Sequence, residues 1–215
     1  MKVDEIWRFQ LVRGFTNDIS RGACLLTAVS WLVHGRHSDQ PPGVCRLLAR
    51  CGREVNDILA NEDRQRLKIF ICRLAGSKDN EAMERRARLL VDVVMRGILE
   101  AEGLPFESRL SARLTWASAR FSILLGGWGS AAGKVIHAFR RRYRKAEGRR
   151  KVYFVDLICR AFDEALRAGN QGKIDPVHAA SSMNAYEKIM MISKRDSPFA
   201  TTRVFSKENV ALSKG

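Results

Sequence analysis

From Ala23 to Leu166 the chain carries apolar residues every three or four positions, broken by short stretches rich in Gly, Pro, Asn or Ser. That period matches one face of an α-helix and excludes the two-residue alternation of a half-buried strand. The spacing predicts a first helix over 22–34 that is apolar nearly all round, suiting a central position, with Gly35 as its C-terminal cap. After the connector ending in Pro41-Pro42, a second helix over 42–59 aligns Val44, Leu47, Leu48, Cys51, Val55, Ile58 and Leu59. Asn61 is placed as the N-cap of a third helix, with Glu62 and Asp63 in its first turn and the stripe Leu67, Phe70, Ile71, Leu74 ending at Gly76. A fourth helix, about 79–102, buries Met83, Ala87, Leu90, Val91, Val94, Met95, Ile98 and Leu99.

Beyond Pro105 a helix over 108–125 carries Leu110, Leu114, Ala117, Phe121 and Leu124 at helical spacing, and one over 130–146 carries Val135, Ile136, Phe139 and Tyr143. The last firm helix, 152–167, presents Val155, Ile158, Phe162 and Leu166. Residues 1–21, with Trp7, Phe9, Leu11 and Phe15, read as an irregular arm packing on the main body. Residues 170–215 form a polar tail with one short helix expected around 177–193; alone, its end should be disordered. The expectation is an all-α fold, a single helical domain of six to eight helices over 22–169, with an N-terminal arm and a polar C-terminal tail.

Laid out in this way, Cys24, Ala28-Val-Ser-Trp-Leu32, Ser38-Asp39, Pro41, Val44, Asn56-Asp57, Asp63-Arg-Gln-Arg-Leu67, Ile71, Arg73-Leu-Ala-Gly-Ser77 and Arg85-Arg86 stand in a familiar order. Over about residues 20–96, with an echo at Val155-Asp-Leu-Ile158, the chain resembles a group of uncharacterised bacterial all-helical proteins. The resemblance implies a bacterial origin and a helical fold and carries no catalytic residue. Where that group is alanine-rich after residue 108, this chain is strongly basic.

Charge changes the picture most. With 38 basic against 23 acidic residues the net charge is +15, which points to nucleic acid, another polyanion or an acidic partner. The segment 140–151 holds eight basic residues, Arg140, Arg141, Arg142, Arg144, Lys145, Arg149, Arg150 and Lys151, against Glu147 alone, and so supplies +7 of the +15. Arg140, Arg141, Arg144 and Lys145 would crowd the exposed side and end of one helix, with the next three charges on a loop after Gly148. Arginine's planar fork suits phosphate oxygens. Tyr143, among them, would either stack on a base or pack inward. A solvated cationic helix end, or a dock for an acidic protein surface, would use the same residues.

Three other constellations are weaker. Gly126-Gly-Trp-Gly-Ser-Ala-Ala-Gly-Lys134 glances at a phosphate-binding loop, but Trp128 stands where the first glycine should and Val135 where the hydroxyl should. A glycine bend between packed helices explains it better. His34, His37, Asp39, Cys45 and Cys51 contain metal-ligand types without ligand spacing; no metal and no cofactor is expected. The four histidines, His34, His37, His137 and His178, sit in no nucleophile-elbow or zinc-protease context, and Asp39, Asn56, Asp57 and Asp63 read as helix caps or members of surface ion pairs. Five cysteines in odd number suggest reduced thiols in a cytosolic compartment. Neither an apolar leader after Lys2 nor a run near the ~20 residues of a membrane span is seen, so no signal peptide and no membrane partner is expected.

The expectation is therefore a non-enzymatic, bacterial cytoplasmic protein that binds nucleic-acid phosphates through 140–151. The rival is a structural or adaptor subunit whose tail is ordered by neighbouring chains; an enzyme or metal protein with a site near 34–39 comes third.

Overall fold

The computed structural model describes residues 10–14, 19–78, 80–101 and 106–169. Trp7, Phe9, Phe15 and the helix expected at 177–193 lie outside them. The described elements are α1 (Leu25–His34), α2 (Arg46–Ile58), α3 (Asn61–Gln65), α4 (Ile71–Leu74), α5 (Met83–Glu100), α6 (Phe106–Leu124), α7 (Trp128–Lys145) and α8 (Gly148–Arg167). A 3-10 stretch, Arg66–Phe70, joins α3 to α4, so the third expected helix is a broken path. No strand occurs among the described residues; one isolated bridge ties Leu11 to Ala23. The fold is all-α, around one continuous apolar core.

The helix expected to be central is not. α1 buries Leu25 to Ser30, but its last turn emerges, with Val33 and His34 exposed. The centre is α5, which packs against α6, α7 and α8, while α2 crosses α7, and α1 lies on α2 and α4. α5 carries Gly97 where Leu157 of α8 comes nearest, and Tyr153 donates its hydroxyl proton to the Gly97 carbonyl at 2.9 Å. The stripes expected for α2, for 67–74, for α7 and for α8 are buried in full. Of the stripe expected for the fourth helix only Met83 and Leu99 are part-exposed.

Polar side chains close the gaps between segments. Arg64 is buried, and its guanidinium donates to the Asn56 and Leu59 carbonyls at 2.6 and 2.7 Å, capping the end of α2 as a glycine turn would elsewhere. Asn61 is not an N-cap: α3 follows Ala60 without a side-chain cap, and Asn61 Oδ1 accepts from Arg64. Asn56, fully buried, accepts from the Leu25 N–H and donates to the Val12 carbonyl, stitching the arm and α1 to α2. At the start of α1, Cys24 Sγ accepts from the Thr27 N–H, and Gly35, at φ +63°, closes the helix as expected.

α6 departs most from what its apolar spacing suggests. Leu110, Leu114, Ala117, Phe121 and Leu124 are all exposed, and Ala112, Ala119 and Ile123 are buried instead. Small residues at 112 and 119 let α6 approach α5 and α7, and Trp116 donates its indole N–H to Asp92 of α5 at 2.7 Å. Arg120 adds a fork to both Asp92 oxygens. Burial pushes the Asp92 carboxyl upward, but the Arg120 and Trp116 hydrogen bonds, with the charges of Arg120 and Arg96, hold it below its ordinary value.

Candidate polyanion interface

The basic segment forms the corner where α7 ends and α8 begins, across a two-residue connector, Ala146-Glu147. The corner is cationic because a helical period runs through it. Positions 136, 139 and 143 fall on the inner face of α7 and hold Ile136, Phe139 and Tyr143, leaving 137, 141, 144 and 145 to face water. Gly148 does not open a loop. It is the first residue of α8, at φ +50°, so Arg149, Arg150 and Lys151 stand on the first helical turn.

The eight cations divide. Arg141, Arg144, Lys145, Arg149 and Arg150 are exposed, whereas Arg140, Arg142 and Lys151 are half-buried. Arg142 donates to the Ser108 carbonyl at 2.9 Å, bracing the start of α6, and burial beside Arg141 holds its pKa below the ordinary value. Lys151 lies over the Tyr143 ring at 5.4 Å and 4.0 Å from an Asp63 oxygen.

Tyr143 is not a stacking platform. It is buried, its ring stacks on Phe139 at 5.8 Å, its oxygen accepts the Ala60 N–H at 2.9 Å, and it donates to Asp63. An apolar ring at a position in register with Phe139 goes into the core, and its hydroxyl finds partners there. Burial pushes its pKa up to about 12; the Ala60 N–H opposes that shift and Asp63 adds to it. No aromatic side chain of 140–151 is thus offered to a base. The corner offers five outward cations beside the exposed Glu147. Such a surface can take several phosphate or carboxylate groups.

The other constellations come apart. Lys134 donates to the Ser118 and Ser122 hydroxyls, both at 2.8 Å, and so joins α7 to α6. Gly126 and Gly127 make the turn, while Gly129 and Gly133 lie inside α7 beneath the Arg50 guanidinium. Asp156 lies on α8 in an ion pair with Arg66. Arg73 pairs with Asp163 in the same way. Asp57 accepts from the Gly14 and Asn56 donors.

His34 reaches the Pro42 carbonyl at 3.4 Å, and the His37 ring meets Trp31 edge-on. Cys45 donates to Met83 Sδ, and Cys51, fully buried, has its thiol pushed up to about 12 by burial. Among the described residues no three His, Cys, Asp or Glu side chains gather to hold a metal. All five cysteines are free thiols.

Sequence reasoning passed over Arg86. Its side chain has no exposed surface, donates to the Ser77 carbonyl at 2.6 Å and lies so close to Gly169 that a Cβ there would meet Nη2 at 1.6 Å. Its place among Met83, Ala87 and Leu90 in the helical period was the only signal available. Comparison with protein-family models, curated proteins and solved structures finds no match for this chain.

Proposed function

We propose that this is a non-enzymatic binding protein that engages a polyanion, foremost nucleic-acid phosphates, at the α7–α8 corner. We place it in the bacterial cytoplasm. The observation that carries the reading is the division of the basic segment: Arg140, Arg142 and Lys151 are tucked against the body, and five cations are left outward on two helix ends. With Tyr143 in the core, binding is through phosphates and does not read bases.

Five contacts predict a salt slope near −4.5 on duplex DNA, a loss of about 500-fold in affinity between about 50 and 200 mM salt. The test is binding of short duplex DNA, single-stranded DNA and RNA across a salt series. The variant Arg141→Ala/Arg144→Ala/Arg149→Ala/Arg150→Ala spares Arg140 and Arg142, whose stems pack on the body. Its slope should fall to about −1. Equal binding by variant and wild type, or no binding by either at low salt, refutes the reading.

The second reading, a structural or adaptor subunit of a larger assembly, rests on the apolar outer face of α6. The expected docking of the tail on neighbouring chains concerns residues outside the described ones.

A further inference from the structure

α6 and the residue after it turn most of their large apolar side chains to solvent. Phe106, Leu110, Leu114, Phe121, Leu124 and Leu125 are 48 to 78% exposed. Side chains of this size at those exposures leave roughly 700 Å² of apolar surface in water, more than a monomer commonly shows. No described residue covers them.

The order along the helix is specific. Leu110, Leu114, Ala117, Phe121 and Leu124 are spaced 4-3-4-3, which is the seam of a two-stranded coiled coil over two heptads. On its flanks Arg120 is held by Asp92 and Ser118 by Lys134, so the apolar seam itself is what α6 offers to a partner.

We infer that α6 is a homodimer interface, in which two copies of this chain pair their seams about a two-fold axis. The exposed apolar area is close to the ~800 Å² per partner that a stable complex buries. This interface occupies a different face from the α7–α8 corner and does not depend on polyanion binding.

Sedimentation equilibrium on the full chain at about 50 μM should give twice the 24.3 kDa chain mass, with reversible dissociation on dilution. Leu114→Glu/Phe121→Glu should return the mass to one chain while circular dichroism and Tm stay unchanged, because both positions are on the surface. A monomeric wild type overturns the inference, whether or not it co-sediments with phosphatidylserine vesicles. So does a dimer that survives the double Glu variant.

Discussion

Replacing Gly97 by alanine should destabilise the protein, although the same exchange in an isolated helix stabilises it by about 1 kcal/mol. A Cβ at position 97 would stand 2.2 Å from Leu157 Cδ1, 2.7 Å from Cδ2 and 3.0 Å from Cγ. The clash thus reaches the branch point of the leucine as well as its tips. Leu157 is 2% exposed, so it has no open space into which to swing. Overpacking of this kind costs about 1–3 kcal/mol, and the helix gain offsets about 1 of it. With approaches as short as 2.2 Å the cost lies in the upper half of that range, so the net loss should be about 1–2 kcal/mol, with Tm lowered by about 2–8 °C at this chain length.

Urea unfolding followed by circular dichroism reads the change directly. Leu157→Ala alone should cost about 2–5 kcal/mol. In the double variant the new methyl group finds the vacated space, so the two losses should fall short of additive by about 1 kcal/mol or more. If Gly97→Ala is as stable as wild type or more so, close approach of α8 is not what requires glycine there, and the reasoning fails.

Tyr143→Phe removes the oxygen that serves both Ala60 and Asp63, so it should cost about 1–3 kcal/mol in urea unfolding; an unchanged midpoint would show that the pair contributes nothing. Cys51 and Cys159 are both pushed from 9.0 to about 12, chiefly by burial. As pH rises the unfolded chain releases these protons first, so stability held below pH 9 should decline between about pH 9 and 12. The urea midpoint should therefore drop from about pH 8 to about pH 10.5, and Cys51→Ala/Cys159→Ala should show a shallower drop. Parallel pH profiles would refute that assignment.

Most of the helical frame was legible because a period of 3.6 and a glycine or proline stop act locally. Val44 to Leu59 is one such stripe, and Gly35 closes α1 within four residues of its partner carbonyl. α6 was ambiguous because it carries two apolar stripes. One is bulky, from Leu110 to Leu124; the other, Ala112, Trp116, Ala119 and Ile123, is smaller, and periodicity does not say which side meets α5. Close packing favoured the smaller side. The clamps were illegible for another reason: Asn56 meets Val12 and Leu25 at separations of 44 and 31 residues, which no window along the chain can sense. At the basic corner the composition was readable, and so was Tyr143's place in the buried stripe. The division of the cations was not, since Arg142 depends on Ser108, 34 residues away.

The anchoring of Tyr143 bears on the entropy of any encounter at this corner. Its ring, its hydroxyl and the Asp63 carboxylate fasten the end of α7 to the start of α3, while Arg142 fastens it to α6. The five outward cations therefore project from a backbone that has already given up its freedom on folding. An approaching anion has only side-chain rotamers left to order, about 0.5–1.5 kcal/mol for each long chain immobilised. The corner would thus meet its ligand as a stiff comb of charges, where an unstructured basic tail would first have to be straightened.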